Sequence, residues 1–365
     1  MSDPTVTTIP SLPGVLTADE VLATARSIVE RQQPSGMILW SEGGHCDPWN
    51  HVEVAMALGV CGLYEEMTRA YDWLAATQLG DGSWFNYYLA HGVKDPRLDT
   101  NVCAYVAAGV WHSYLVTGST TVLEQRWAMV DRAINFVVRH QQADGSISWS
   151  LDSAGRRETY ALLTGSSSIY HSLRCATAIA DRLGHDRPEW ELALGRLGHA
   201  IAHHEGAFAP KHEFAMDWYY PMLSGALEGR AGLDRLELLW DAFVIEGRGV
   251  RCVSTGDWVT AAETAECVMA LDALGRRDRA LDLLSWTRAH RQDDGSYLTG
   301  IVYPDLVTYP HLERTTYTAG AIILAADALS NSSPASGLFR GETLPEGLDL
   351  AGASCAVATG DCTAP

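Results

Sequence analysis

Two hydrophobic patterns alternate along the chain. In stretches such as MVDRAINFVVRHQQ (129–142) and DRALDLLSWTRAHRQ (278–292), apolar residues return every three to four positions and the other face is charged. That period predicts amphipathic helices lying on an outer surface. The second pattern is apolar on most faces. It occupies PWNHVEVAMALGVCGLY (48–64), DTNVCAYVAAGVWHSYL (99–115), SSSIYHSLRCATAIADRL (166–183), DWYYPMLSGALEG (217–229), WVTAAETAECVMALDAL (258–274) and PHLERTTYTAGAIILAADAL (310–329). A helix apolar nearly all round is buried on both sides. Strict alternation of the kind a strand needs does not persist anywhere.

Each outer stretch ends at a glycine: Gly36, Gly82, Gly145, Gly206, Gly247 and Gly295. Glycine accepts the left-handed backbone that stops a helix. Three of these exits are nearly the same string, QLGDGSW (78–84), QQADGSI (141–147) and RQDDGSY (291–297). One helical hairpin cannot bury its apolar face, so neighbouring hairpins must cover it. Six outer–inner pairs in succession therefore predict an all-α (α/α)6 barrel, or toroid. Its expected extent is residues 19–330. Residues 1–18 are expected to be a flexible lead. Residues 331–365, small, polar and rich in Gly and Pro, are expected to form an extended or disordered tail outside the ring.

The exits and the starts of the inner helices should share one mouth. The first start, GGHCDPWNHVE, offers Asp47, Trp49, Asn50 and Glu53. The second, KDPRLDTNV, offers Asp99 and Asn101, and the third, TGSSSIYHSLR, offers His171. The fourth and fifth, FAMDWYYPM and STGDWVTAAETAE, offer Asp217, Trp218, Tyr219, Asp257, Trp258 and Glu263. The sixth, TYPHLERTTY, offers Tyr309, His311, Glu313 and Tyr317. Asp47 before Pro48 also reads as a helix cap. Carboxylates converging from five inner helices suit acid–base chemistry, because like charges in one site raise some of their pKa values. Helix N-termini keep capping acids ionised. Glu53, Asp99, Glu263 and Glu313, set deeper, are thus the better candidates for a general acid. The rings suit substrate binding and the stabilising of a cationic transition state.

The formal net charge of −19 argues against nucleic acid or an anionic membrane surface as partner. No apolar run reaches the roughly 18 residues of a membrane span. The start lacks the pattern of a signal peptide. The eight cysteines are scattered and form no CxxC pair. A cytoplasmic protein with free thiols and a small-molecule substrate is expected, and a homo-oligomer is left open. His45, Cys46 and Asp47 cluster, yet they lack a zinc-site spacing, so no metal and no cofactor is expected.

The DGS exits ahead of Ala-rich inner helices resemble the repeats of the terpenoid cyclase and protein prenyltransferase toroid superfamily, over about residues 20–330. That resemblance implies an acid–base enzyme acting on an isoprenoid-like substrate through a carbocation. Thr264 and Ala265 match the Thr-Ala of the cyclases' Asp-x-Asp-Asp-Thr-Ala run, and Glu263 stands for its last Asp. Ala262 occupies the place of the catalytic Asp. The prenyltransferase zinc ligands are not matched either. Two alternatives are carried beside it: a carbohydrate-active enzyme with paired carboxylates, either glycoside hydrolase or sugar epimerase, and a non-enzymatic binding toroid.

Overall fold

The computed structural model describes residues 8–348. Its inner helices are α2 (Pro48–Val60), α4 and α5 (Thr100–Ala104 and Val106–Thr117, one rod bent at Tyr105), α7 (Leu163–Leu183), α9 (Ala215–Leu223), α11 (Ala261–Ala273) and α13 (Thr316–Ser330). The outer helices are α1 (Ala18–Val29), α3 (Tyr64–Thr77), α6 (Thr120–Val138), α8 (Pro188–His203), α10 (Gly229–Phe243) and α12 (Arg277–Trp286). Each inner helix packs on the next, α2 on α5, α5 on α7, α7 on α9, α9 on α11 and α11 on α13, and α13 returns to α2. The fold is an (α/α)6 barrel. Burial follows the two sequence patterns: in α13 every residue from Thr316 to Leu329 except Tyr317 is buried, whereas α10 buries only Gly232, Leu236 and Phe243.

The repeated exits are joints between neighbouring outer helices. Gly36, Gly82, Gly145 and Gly295 all have left-handed φ, between 87° and 100°. A side chain on the first three would run into the backbone carbonyls of Arg69, Arg132 and Arg196, each on the next outer helix. On Gly295 it would meet Ala23 of α1, so the sixth joint lands on the first helix and closes the ring. The glutamine four residues before each of the first three glycines spans the joint. Gln32 Nε2 donates to Gly36 O and Glu66 O (3.1 and 2.9 Å). Gln78 does the same with Gly82 O and Met129 O, and Gln141 with Gly145 O and Ala193 O. At the closing joint the Thr24 hydroxyl donates to Gly295 O (2.8 Å). In the DGS strings, Asp81, Asp144 and Asp294 accept the backbone N–H and hydroxyl of the serine two residues on, which tightens the turn.

The same loops cap the inner helices. Four residues past the glycine, the carbonyls of Trp40, Trp149 and Thr299 accept the first helical N–H of α13, α4 and α11 (2.7, 2.9 and 3.2 Å). Three of the four joints thus satisfy an otherwise orphaned donor of the preceding inner helix.

Several elements depart from the sequence expectation. Gly206 lies in a short 3-10 turn and Gly247 in a hairpin turn, and neither approaches another helix. A five-stranded antiparallel sheet, Val244–Ile245, Gly249–Arg251, Trp258–Thr260, Gly300–Val302 and Val307–Thr308, stands on the rim. Trp258, Val259 and Thr260 suit a strand, so α11 starts three residues later than the expected inner stretch. At the other ends of the helices, residues 331–348 wrap over the base. The Ser333 hydroxyl donates to Asp327 (2.6 Å), Arg340 pairs with Asp272 (2.6 Å), and Leu338 is buried. In the lead segment, Leu12 and Leu16 are buried and Thr17 caps α1. Residues 1–7 and 349–365, parts of the lead and tail expectations, lie outside the described residues.

If the joints carry the ring, Gly82→Ala lowers unfolding free energy by about 2 kcal/mol or more, since it adds left-handed strain to a backbone clash. Gly206→Ala, which meets nothing within 4 Å, stays within about 0.5 kcal/mol of the parent. Denaturant melts of the two variants check the contrast.

Candidate active site

The mouth holds a cleft of two connected lobes that share Trp49, Asp99, Trp149 and Met216. The polar lobe, about 300 Å3, is walled by Asp47, Asn50, Glu263, Glu266 and Tyr317 together with Trp40, Tyr87 and Arg97. The apolar lobe, about 280 Å3, is walled by Leu162, Gly165 and Phe214, with Asn101, Thr164, Lys211 and Asp217.

Asp47 and Asp99 are built alike. Each caps an inner helix: Asp47 Oδ1 accepts Asn50 N–H (2.9 Å), and Asp99 Oδ1 accepts Asn101 and Val102 N–H (2.9 and 3.2 Å). Each other oxygen accepts a tryptophan indole N–H from an exit loop, Trp40 Nε1 on Asp47 and Trp149 Nε1 on Asp99, both at 2.6 Å. Arg97, hydrogen-bonded to Asp95, lies over the Trp149 ring at 5.4 Å and holds it there. Burial pushes both carboxyls up against these bonds, and Asp99 reaches about 6.

Glu266 stands on α11, one turn beyond Glu263. It is buried, and its two oxygens accept the hydroxyls of Tyr219 and Tyr220, the latter at 2.8 Å. Desolvation raises it to about 7, and the Glu263 charge adds to the rise, while the two tyrosines work against it. Glu53, buried beneath the cleft, is pushed well above the usual carboxylate range by burial and by the charges of Glu266 and Asp47. In the six-membered ring of inner helices α11 and α4 are diametrically opposed, which puts Glu266 and Asp99 on facing walls. Glu263 accepts the Thr260 hydroxyl. Asp217 is raised by burial and accepts both the N–H and the hydroxyl of Thr164.

Of the residues expected at the mouth, Asp47, Trp49, Asn50, Asp99, Asn101, Asp217, Glu263 and Tyr317 line the cleft. Glu53 and Tyr219 lie just behind its wall. The rest are corrections. Asp257 sits in the hairpin before α11, exposed and paired with Arg251. Trp258 is a sheet residue whose indole donates to Tyr309 O (2.9 Å), and Tyr309 and His311 are exposed on the rim. Glu313 belongs to the loop before α13, where it accepts the Thr299 hydroxyl (3.1 Å). Trp218 points sideways, bonding Arg235 O of α10 and stacking on Phe243 at 5.2 Å. His171 lies eight residues into α7, about 12 Å down its axis, and stacks on Phe339 of the wrapped C-terminal segment. The shared reason is that the inner helices begin at Leu163, Ala215, Ala261 and Thr316, which moves residues read one turn too early or too late out of the wall.

Glu266, Trp40, Trp149, Arg97 and the apolar wall were not anticipated. Glu266 had a readable signal, since it lies three positions after Glu263 and so on the same helix face. Trp149 had none, because its partner Asp99 lies 50 residues away. The His45 ring packs on Trp40 at 4.2 Å and accepts from Lys94 (3.1 Å), while Cys46 donates to the Asp47 carbonyl. Among the described residues, no three His, Cys, Asp or Glu side chains come together as a metal site. Nor is any described helix long and apolar enough to cross a membrane.

No known family profile matches the chain. An MMP endo-(1,4)-3-O-methyl-alpha-D-mannosidase of Mycolicibacterium hassiacum is 50% identical over 353 residues, which cover 97% of this chain and 98% of that protein. Among solved structures, a glycosidase variant in complex with glucose matches with a TM-score of 0.67 at 13% identity, over 85% of this chain and 96% of its own. A D-mannose isomerase matches with a TM-score of 0.60 at 12% identity, over 87% and 99%. These two share the fold. The resemblance to terpenoid cyclases and prenyltransferases, and the isoprenoid chemistry it implied, are overturned by the relative. The cleft, with five carboxylates facing one arginine and one lysine, would also repel the diphosphate of a prenyl donor. The DGS turn that suggested the resemblance serves the joints between helices. Identical at half of its positions over nearly its whole length, the chain belongs to the family of that endo-mannosidase.

Proposed function

We propose that this protein is a glycoside hydrolase that cleaves internal α-(1,4) bonds of a 3-O-methylated mannan. The relative's activity supports the substrate class. The observation that carries the chemistry is the pair Glu266 and Asp99, on opposed walls of an aromatic cleft. Hydrolysis of a glycoside needs one carboxylic acid and one carboxylate on either side of the bond. Glu266, with the higher pKa, gives its proton to the glycosidic oxygen as the C1–O bond breaks. Asp99 takes a proton from the water that attacks C1. The polar lobe, at about 300 Å3, has room for a sugar ring and that water. Trp49 and Trp149 provide flat apolar faces for pyranose rings, and the two-lobed cleft suits binding on both sides of the cut. The oxygen-rich transition state carries positive charge, which the remaining acids Asp47 and Glu263 stabilise.

The test is the release of shorter oligosaccharides from 3-O-methylated α-(1,4)-mannooligosaccharides. Glu266→Gln and Asp99→Asn should each lower turnover by about 10²-fold or more, while Asp257→Asn on the rim should stay near the parent rate. Full activity in either of the first two variants would remove that residue from the mechanism.

The pH profile has a worked sign. Asp99 must be ionised, so activity falls as pH drops through about 6. Glu266 must be protonated, so activity falls as pH rises through about 7. The result is a narrow bell between the two. Tyr220→Phe deletes a hydrogen bond that favours the ionised Glu266, so the alkaline limb should move to higher pH while the acid limb stays. An alkaline limb that does not move would contradict the assignment of the acid.

A further inference from the structure

We propose that the apolar lobe is the subsite that reads the O-methyl group of a methylated hexose unit. This rests on the hydrolase reading above and names how the site would tell its substrate from plain mannan. The lobe is walled by Leu162, Met216, the Trp149 ring and the exposed Phe214. An unmodified hexose carries hydroxyls around its ring, and a hydroxyl pressed on such a wall loses water without gaining a partner. A methyl ether has no proton to donate and presents a CH3 group, which the same wall favours.

The polar atoms of the lobe fit that division. Asp217 Oδ1 is already occupied by Thr164. Two buried atoms on lining residues have no partner, Trp49 Nε1 and Asn101 Oδ1. They are one donor and one acceptor, the pair needed to hold an ether or ring oxygen and a neighbouring free hydroxyl. Asn101 is only 3% exposed.

A separate observation comes from helix capping. Leu162 and Phe214 occupy the N-cap positions of α7 and α9, where neither side chain can accept a helix N–H; Asp217 takes the Thr164 N–H of α7 and the Cys252 carbonyl takes the Ala215 N–H of α9. Asp47 and Asp99 cap α2 and α4 in the polar lobe. Leucine ranks near the bottom at an N-cap. The chain thus places apolar residues at two cap positions where the apolar lobe needs its wall, and it covers the helix ends from elsewhere.

Leu162→Asn and Phe214→Asn put favoured N-cap residues at these two positions and make the wall polar. The experiment compares kcat/KM for 3-O-methylated and unmethylated α-(1,4)-mannooligosaccharides of equal length, in the parent and in both variants. The parent should prefer the methylated chain by about 10-fold or more, the usual reach of one apolar carbon in a fitted pocket. Each variant should shrink that ratio severalfold with no drop in melting temperature. A parent without preference, or folded variants with an unchanged ratio, overturns the subsite and leaves the hydrolase reading standing. A parent that cleaves neither chain removes the hydrolase reading, and the subsite falls with it. Should both variants fail to fold, parent titrations with methyl 3-O-methyl-α-D-mannoside and methyl α-D-mannoside decide, and equal affinities overturn the proposal.

Discussion

The mouth depends on how closely four exit glycines lie against a neighbouring outer helix. No side chain fits there, and the backbone must be left-handed, so glycine is required twice over at Gly36, Gly82, Gly145 and Gly295. The glutamine beside the joint then ties the loop to the helix it touches. With the joint set, the carbonyl four residues on caps an inner helix in three of the four loops, and in two of them that same residue is the tryptophan whose indole binds a cleft aspartate. Ring closure and site geometry are consequences of one repeated contact.

That frame lets the protein collect carboxylates where they repel one another. Asp47, Glu53 and Glu266 are buried and Asp99 half-buried, and loss of water raises the pKa of each. Indole and phenol donors answer the penalty unequally. Asp99 receives two backbone N–H groups and one indole, while Glu266 receives two phenols. The difference separates the two groups in pKa, as the proposed acid and base require.

The architecture was legible in the sequence because it rests on local signals. Apolar-all-round helices such as 310–329 and the glycine exits follow from period and backbone freedom. The site was legible where a cap marked it, as at Asp47 and Asp99, whose side chains both end a loop and face the cleft. It was illegible where no N-cap side chain bonds the helix start, at Leu163, Ala215, Ala261 and Thr316. There the register slipped, and Asp257, Trp258, Glu313 and His171 were read into the mouth. Trp149 finds Asp99 across 50 residues and Glu266 finds Tyr219 across 47, contacts that only the closed ring creates. The terpenoid resemblance failed for a related reason: the DGS turn answers the packing of neighbouring helices, and packing does not specify a reaction.

The central claim is that a sugar chain lies across the mouth with its scissile bond between α11 and α4. A crystal structure with a sulfur-linked, uncleavable 3-O-methylated α-(1,4)-mannooligosaccharide tests it most directly. The account predicts the linking sulfur within hydrogen-bonding reach of Glu266, a water between C1 and Asp99, and a pyranose ring on Trp149. A chain seated elsewhere, or one whose linking atom is approached by neither Glu266 nor Asp99, would contradict it.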